Sequence, residues 1–467
     1  MVAWHRLRRD RGEGVVSRGG TARSVALDVI VATRESDAYA NLLLPARILS
    51  AGLSSADAGL ATELAYGTLR MQGFYDRVIE LAAARPVKDI DAAALDVLRL
   101  GCHQLLSMRV AAHAAVGETV ELAKGRVSRS AVGFVNGVLR TVSRTDVLEW
   151  RDRVIATARS GEEALAFEHS HPLWVVRAIR QVLTAEGREA ELEGALVADN
   201  VAPRIAAAAL PGFASPIEIP GSRTEFSPVG VRVDAGDPAR VPAIKDGRAR
   251  VQDEGSQLAA LALSRARPVG EGERWLDMCA GPGGKAALLA AEAASGGATL
   301  TANEVVPARA GLVRNALRAV DPTITVLEQD GRMLGEEHPD TFDRILLDAP
   351  CTGLGALRRR PEARWRKQPS DVAELGALQS ALLSSAVAAL RPGGLLAYVT
   401  CSPHAAETKA IVASALRTIP GLSTVNTPAV LESIASHPLD LPPGEHVQLW
   451  PHRHGTDAMF IQLLTKA

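Results

Sequence analysis

The chain has 467 residues, a formal net charge of -1 and 47% hydrophobic residues. This describes a globular protein of several domains and excludes a disordered or strongly basic chain. Four cysteines, none paired at metal-ligand spacing, exclude a disulfide scaffold and favour a reducing, cytoplasmic setting. No segment reads as a membrane span or signal peptide, and the arginine-rich residues 1–20 are expected to form a basic flexible arm.

Residues 21–147 show apolar side chains at helical spacing, as with Ala26, Val29 and Ile30, and no run alternates like a strand. This pattern predicts an all-α bundle. Three of its segments resemble the NusB-type RNA-binding helical domain: 97–106 (VLRLGCHQLL), 116–124 (VGETVELAK) and 134–140 (FVNGVLR). The resemblance implies an RNA-contacting module. Its basic side chains are candidate phosphate contacts, although exposed arginines can simply be solvated: Arg70, Arg77, Lys124, Arg126, Arg129 and Arg140.

Residues 148–246 are expected to form a small α+β connector, with short strands at 204–210 and 230–234. A helix is expected to open near His169 and to run to about residue 186. The pair His169 and His171 could suggest a metal, but a neighbouring proline favours a helix start, so we expect no metal.

From residue 247 to 467, strands and helices alternate, which predicts a Rossmann-like α/β domain with a parallel, doubly wound sheet. Strands are expected at 274–277, 298–302, 324–327, 344–348 and 395–400. Two further strands, at 446–450 and 458–464, are expected to be antiparallel and to lie at the edge of the sheet. Helices are expected at 256–266, 284–294, 307–319 and 371–390. The last helix should be capped by Ser370 or Asp371 and stopped by the Pro-Gly-Gly at 392–394.

A glycine-rich turn joins strand to helix in residues 275–285, WLDMCAGPGGK. Glycines allow a close approach to a ligand, and a helix N-terminus offers free N–H groups. Neither the P-loop nor the dinucleotide GxGxxG pattern is present. We therefore predict a nucleotide-binding turn in which the thiol of Cys279 is structural, and its residues are candidate cofactor contacts: Cys279, Ala280, Gly281, Pro282, Gly283, Gly284 and Lys285.

Two acids follow at the ends of the next strands. Glu304 is placed to accept ribose hydroxyls, the alternative being a purely structural acid, and Asp330 is placed for an adenine amino group. The expected ligand is an adenosine without a second nucleotide. S-adenosylmethionine fits this description better than NAD does.

Two cysteines also follow strands, in 344–353 (RILLDAPCTG) and 398–404 (YVTCSPH). Cys351 alone could be an inert buried residue. Neighbouring parallel strands, however, would bring Cys351 and Cys401 to one sheet edge beside the cofactor. A thiolate that adds to C6 of a pyrimidine makes C5 able to accept a methyl group. Asp348 could then hydrogen-bond the cytosine edge, and Lys285 could lower a thiol pKa or hold the acid.

The order of VQD at 251–253, the glycine turn, DAPC at 348–351 and TCS at 400–402 resembles the RNA 5-methylcytosine methyltransferases. With the NusB-like segments, the chain is similar to the RsmB (Fmu/Sun) branch, which methylates 16S ribosomal RNA. The resemblance implies that Cys401 is the nucleophile and that Cys351 assists product release. It also implies cofactor contacts at 279–285, Glu304, Arg309, Asp330 and Asp348. The chain departs from the family in Gly281 for alanine, in Ala286 for threonine, in Glu304 for the aspartate of some members and in the Thr-Gly-Leu-Gly after Cys351.

A basic run, RRRPEARWRK, occupies residues 358–367, just after Cys351. Arginines with an interleaved tryptophan suit an RNA backbone and its bases, although a solvated loop is the alternative. The candidate RNA contacts here are Arg358, Arg359, Arg360, Arg364 and Trp365.

These patterns predict a monomeric, S-adenosylmethionine-dependent RNA (cytosine-C5)-methyltransferase with neither metal nor membrane, and the resemblance implies 16S rRNA as its partner. The rival hypotheses are the same chemistry on tRNA or another RNA, and a non-catalytic RNA-binding or assembly factor. A dinucleotide oxidoreductase fits the glycine pattern and the thiol pair poorly.

Overall fold

The computed structural model describes residues 20–36, 38–234 and 236–467, so the predicted basic arm lies almost wholly outside the described residues. The chain divides into two compact units, Met1–Ala158 and Arg159–Ala467. The finer boundaries at 147/148 and 246/247 remain predictions.

The first unit is helical throughout its described residues, which confirms the all-α prediction. Its helices are α1 (Ala22–Glu35), α2 (Ala40–Ala51), α3 (Ser55–Arg70), α4 (Gln72–Ala83), α5 (Ala92–Leu106), α6 (Ala112–Lys124), α7 (Arg129–Val142) and α8 (Val147–Ile155).

Helix α5 lies at the centre of this unit, because every residue from 94 to 104 is buried. Its two buried charges are paired: Asp96 accepts from Arg34 at 2.8 Å, and Arg99 donates to Asp76 at 2.7 and 2.8 Å. Since a buried charge is costly unless it is paired, these contacts let polar residues sit inside the bundle.

The second unit begins with short helices and a small antiparallel sheet, of strand order β2-β3-β1-β4. The two predicted strands are present as β1 and β3, and the predicted helix begins after Pro172. The elements are α9 (Gly161–Glu168), α10 (Leu173–Ala185), α11 (Leu192–Asp199), β1 (Ala206–Ala209), β2 (Gly221–Arg223), β3 (Gly230–Val233), α12 (Pro242–Lys245) and β4 (Ala249–Val251).

The rest of the second unit alternates strands and helices, as predicted. The elements are α13 (Glu254–Ser264), β5 (Arg274–Asp277), α14 (Gly284–Ser295), β6 (Thr299–Asn303), α15 (Pro307–Leu317), β7 (Val326–Leu327), α16 (Leu334–Glu337), β8 (Phe342–Asp348), α17 (Ala363–Arg366), α18 (Pro369–Ala389), β9 (Leu390–Thr400), α19 (Lys409–Thr418), β10 (Leu422–Thr424), α20 (Thr427–Ile434), β11 (Val447–Gln448), α21 (Pro451–His454) and β12 (Phe460–Lys466).

The main sheet has the strand order β10-β12-β9-β8-β5-β6-β7, with β11 paired to β12. Strands β5 to β9 pair in parallel, while β12 is antiparallel to β9 and to β10. One apolar cluster from α13 and α14 covers one face, and a second from α16, α18 and α19 covers the other. Both faces of the central strands are therefore buried, as their continuous apolar runs predict.

Three expectations about this sheet need correction. Strand β12 is not an edge strand, because it lies between β9 and β10. Helix α18 begins at Pro369 and is capped by Gln368, while Asp371 accepts from the Gln368 N–H at 3.1 Å. Strand β9 begins at Leu390, and the Pro-Gly-Gly segment bulges between the Phe342–Leu390 and Arg344–Leu395 pairs.

Helix α18 also corrects the expectation about membrane spans. It is 21 residues long and contains an 18-residue window with a mean hydropathy of 1.4, so by length and composition alone it could cross a bilayer. Its buried face includes Leu382, Leu383 and Ala386, which belong to the apolar cluster on the sheet. The apolar composition of α18 is therefore that of a core helix.

Candidate active site

The site lies where two neighbouring parallel strands end. In the pairing of β8 with β9, Asp348 stands beside Val399, and the N–H of Ala349 donates to the Val399 carbonyl at 2.9 Å. Each strand then opens into a loop that carries a cysteine. The Sγ atoms of Cys351 and Cys401 are 3.5 Å apart, and neither is in a disulfide. The prediction that the sheet brings these two thiols together is confirmed.

Gly355 allows the Cys351 loop to lie against the end of β9. Its N–H donates to the Cys401 carbonyl at 2.9 Å, and its own carbonyl accepts from Ala458 at 2.8 Å. A β-carbon at this position would lie 2.0 Å from the Ala458 oxygen and 2.9 Å from the Cys401 oxygen. Since both are backbone atoms, only glycine permits this approach.

The two thiols differ in charge preference. The pKa of Cys401 is lowered, chiefly by the hydrogen bond from Cys351 and further by the positive charges of Lys285 and Arg360, against the effects of burial and Asp348. The pKa of Cys351 is raised by that same hydrogen bond with Cys401 and by burial. The geometry therefore favours a thiolate on Cys401 and a thiol on Cys351.

Lys285 and Asp348 form an ion pair beside the thiols, with Nζ and Oδ2 2.9 Å apart. Although burial favours the neutral amine, the charge and hydrogen bond of Asp348 raise the pKa of Lys285. The glycine turn thus delivers a cation, and strand β8 an acid, to the same place. This agrees with the prediction that Lys285 holds the acid.

Asp277 ends β5 directly before the glycine turn. It is 1% exposed, and within the residues that the structure describes neither carboxylate oxygen accepts a hydrogen bond of normal geometry. Burial, and then the negative charge of Asp348, raise the pKa of Asp277 to about 8. A buried carboxylate without partners is suited to a positively charged ligand group.

The glycine turn is held by close contacts to the next strand and helix. Gly283 has φ +105°, and a β-carbon there would lie 2.5 Å from the Ala316 side chain. Arg309 donates to the Gly281 carbonyl at 2.6 Å and pairs with Glu304 at 3.3 Å. A β-carbon on Gly281 would lie 2.1 Å from Glu304 Oε2, so this glycine makes room for the buried glutamate.

Asp330 touches neither the glycine turn nor Glu304 among the contacts described. It pairs with Arg332 and caps residues 331–333. Asn303, which the sequence pattern did not indicate, joins the segment of Asp330 to the glycine turn. The Asn303 amide donates to the carbonyls of Met278 at 3.1 Å and Gln329 at 3.0 Å.

Two further residues were missed. Gln252 is 8% exposed, and its side-chain amide makes no hydrogen bond although its Cδ lies beside the start of α14, 3.7 Å from where a β-carbon on Gly284 would be. Glu407 is fully buried and accepts hydrogen bonds from both cysteine loops, as with Thr352 and Ser402. Gln252 lies in the VQD segment that carries the family resemblance, although that segment did not identify it as a site residue. A lone glutamate such as Glu407 carries no pattern that sequence reasoning could use.

The basic run is largely structural. Arg358 and Arg359 both pair with Asp253, at 2.9 and 2.5 Å, and with Asp457. Arg364 is fully buried and donates to the Ser170 carbonyl at 2.8 Å. Burial corrects the prediction of direct RNA contact for Arg358 and Arg364.

Arg360 and Trp365 are less buried than Arg358 and Arg364. Arg360 is exposed, and its positive charge acts on Cys401. Trp365 is half-buried, with its indole N–H unpaired.

The candidate RNA contacts of the first unit differ in exposure. Lys124 and Arg140 are exposed, and Lys124 pairs with Glu121 at 2.5 Å. Arg70 is 6% exposed, which corrects its assignment as a phosphate contact.

The pair His169 and His171 does not converge on one point. His171 Nδ1 contacts the His169 carbonyl at 2.7 Å, and His169 lies near the carboxylates of Glu168 and Glu193. The ligand atoms of Glu168, His169 and Glu193 lie within 4.8 Å of one another, a grouping that could hold a metal ion, so the expectation of no metal stays a prediction.

Two family models match this chain, one within each of its two compact units. The model of the 16S rRNA methyltransferase RsmB/F family matches residues 266–465, and that of the NusB family matches residues 20–144. A Mycobacterium tuberculosis protein described as a methyltransferase is 48% identical over 95% of this chain and 96% of its own. The ribosomal RNA small subunit methyltransferase B of Pseudomonas putida is 32% identical over 85% of this chain and 89% of its own.

Solved structures share the fold. A crystal structure of a protein named PH0851 matches with a TM-score of 0.77 and 21% identity, over 95% of this chain and 98% of its own. A methyltransferase homologue from Pyrococcus horikoshii matches with a TM-score of 0.54 and 20% identity, over 66% of this chain and 100% of its own. The helical unit, the sheet with its paired thiols and the near-complete coverage agree: this chain belongs to the RsmB/F family of 16S rRNA methyltransferases.

Proposed function

We propose that the protein is an S-adenosylmethionine-dependent RNA (cytosine-C5)-methyltransferase that acts on 16S rRNA. The observation that carries the proposal is the pair of free thiols, 3.5 Å apart, at the carboxyl ends of β8 and β9. Open α/β sheets bind their ligands at this edge. The glycine turn lacks the GxGxxG pattern of a dinucleotide oxidoreductase, and a non-catalytic assembly factor would need no reactive thiolate at this edge.

Cys401 acts as the nucleophile. Its thiolate adds to C6 of the cytosine, a C6–S bond forms, and the C5=C6 electron pair moves to C5. The lowered pKa of Cys401, which the Cys351 hydrogen bond and the Lys285 charge support, increases the fraction of reactive thiolate. Asp348 faces the same space and would hydrogen-bond the N3/N4 edge of the ring.

The second half of the reaction releases the product. Once C5 has used that electron pair to bond the methyl group, removal of the C5 proton by a base leaves the C5–H bonding electrons to re-form C5=C6, and the C6–S bond breaks to expel the Cys401 thiolate. Cys351, whose sulfur lies against Cys401, assists this elimination. Its raised pKa keeps it protonated while Cys401 is attacking.

The glycine turn and its surroundings fit the cofactor. S-adenosylmethionine, when bound, supplies a methyl group on a cationic sulfur. Asp277 is a buried, unpartnered carboxylate that suits a positive group, and Gln252 offers an unpaired amide beside the start of α14. Glu304 would accept ribose hydroxyls once Arg309 yields, and Asp330 would lie at the adenine end.

RNA contacts are assigned to the exposed members of the earlier set. The positive charge of Arg360 lowers the pKa of Cys401, so Arg360 lies near the nucleophile. We therefore assign Arg360 as a contact to an RNA phosphate next to the target cytosine. Trp365 offers a half-buried ring for stacking. In the first unit, Lys124 and Arg140 remain candidate backbone contacts.

The test uses the full chain, labelled S-adenosylmethionine and 16S rRNA from cells that lack this enzyme, followed by mapping of the methylated base. Cys401→Ala should abolish methyl transfer, and Cys351→Ala should accumulate a covalent protein–RNA adduct. Cys102→Ala, which removes a buried thiol from the first unit, is the control and should transfer methyl groups. If the two behaviours swap, the roles are reversed. Methylation found only on tRNA contradicts the rRNA target, and no incorporation into any RNA contradicts the enzyme.

A further inference from the structure

Glu407 is a fully buried carboxylate that joins the two cysteine loops. Its Oε1 accepts from the Thr352 N–H at 2.7 Å, and its Oε2 accepts from the Thr352 hydroxyl at 2.5 Å. The Ser402 hydroxyl donates to the same Oε2 at 2.6 Å. Thr352 directly follows Cys351, and Ser402 directly follows Cys401, so one side chain holds the residue next to each thiol.

A third element completes this arrangement. The side-chain amide of Gln379, on α18, donates to Glu407 Oε1 at 3.3 Å and to the Pro350 carbonyl at 2.8 Å. The Tyr398 hydroxyl donates to the backbone carbonyl of Glu407 at 2.8 Å. Both carboxylate oxygens are thus satisfied by donors that belong to the thiol loops and their supports, as a buried ionised group requires.

The charge of Glu407 has no ion-pair partner in the part of the chain that the structure describes, since its contacts are all to neutral donors. The two cations that favour the thiolate, Lys285 and Arg360, act on Cys401. The charge of Glu407 acts on Cys351 and opposes a second thiolate there. Asp348 opposes the thiolate on Cys401, and the other titratable groups on which the charge of Glu407 acts are His404 and Tyr398.

We propose that Glu407 is a positioning residue for the reaction: it locks the two cysteine loops together and places negative charge beside Cys351, so that Cys351 stays a thiol while Cys401 carries the thiolate. This rests on the proposed function for its purpose. The structural argument concerns the thiols alone, and so does the test.

The experiment measures alkylation of each cysteine by iodoacetamide as a function of pH, with the sites resolved by mass spectrometry. It needs neither RNA nor cofactor, so it stays readable even if methyl transfer fails. In the unaltered protein, Cys401 should react at lower pH than Cys351. Glu407→Gln removes the charge and keeps an acceptor for the Thr352 N–H. It should move the Cys351 midpoint down by about one pH unit, equivalent to about tenfold faster labelling below the midpoint.

Glu254→Gln is the matched control. Glu254 is also buried, and it accepts hydrogen bonds from the backbone N–H groups of Phe226 at 2.5 Å and Ser227 at 2.8 Å. Its substitution should leave the midpoints of both cysteines unchanged. Folded Glu407→Gln with an unshifted Cys351 midpoint overturns the proposal. If Glu407→Gln fails to fold, Thr352→Val decides. Loss of its hydroxyl should weaken the link between the loops and raise the Cys401 midpoint, and an unchanged midpoint overturns the proposal.

Discussion

Asp277→Asn should make the second unit more stable, and increasingly so as the pH rises. The Asp277 carboxyl is 1% exposed and has no hydrogen-bond partner, so its ionised form is disfavoured in the folded protein. Burial and Asp348 raise the pKa of Asp277 to about 8, whereas in the unfolded chain the same carboxyl titrates near its ordinary pKa of 3.8. Between these values the folded protein binds more protons than the unfolded chain. The free energy of unfolding is therefore highest at low pH, and it falls as the pH rises from the unfolded pKa to the folded pKa.

The slope of this loss is about 1.4 kcal/mol per pH unit for one proton. Between about pH 5 and pH 7.5 the loss of unfolding free energy amounts to about 3 kcal/mol. Asp277→Asn should abolish this loss, because an amide does not ionise. In a unit of this size, about 3 kcal/mol corresponds to a Tm difference on the order of 5 °C.

The assay is differential scanning calorimetry of both proteins, without cofactor, across that pH range. The gain of Asp277→Asn should appear in the transition of the second unit and grow with pH. The transition of the first unit, which lacks the substitution, is the internal control. A gain that is equal at every pH, or a loss that grows with pH, would refute the reasoning.

Two other substitutions test the packing around the site. Gly355→Ala puts a β-carbon 2.0 Å from the Ala458 oxygen. It should lower the free energy of unfolding by about 2 kcal/mol and also lower the reactivity of the thiols. Gly311→Ala, in open space on α15, is the control and should lower neither. Urea unfolding with parallel thiol labelling checks this, and equal effects would contradict it. Arg344→Met leaves Glu273 without its 2.8 Å partner and should lower the stability by about 3 kcal/mol or more, measured by the same unfolding curves; a neutral result would show that the buried pair contributes nothing.

The sequence predicted the site better than its supports. Parallel strands that each end in a cysteine must bring Cys351 and Cys401 to one edge, and the glycine turn lies at the same edge because strand direction alone places it there. The order of the thiol roles came only from the family resemblance. The charge preferences of the two sulfurs now support that order from physical causes.

What could not be predicted depends on contacts distant in the chain. The arginines of the basic run look alike in sequence, yet Arg364 binds carbonyls of residues more than a hundred and fifty positions earlier, while Arg360 faces solvent. In sequence, strand β12 is only a short and mostly apolar run, and nothing local reveals that it inserts between β9 and β10. Glu407 is one acid among many until its four donors are seen together.

The insertion of β12 has a consequence for how the enzyme is made. The strand that carries Cys401 at its end pairs with β12 from Phe460 to Thr465, and Asp457 just before it fixes the arginines that follow Cys351. Both thiol loops thus depend on a segment that the ribosome synthesises well after them. A nascent chain would hold two exposed, loosely placed cysteines until that segment emerges, so competence for chemistry arrives with the last strand rather than with the cysteines themselves.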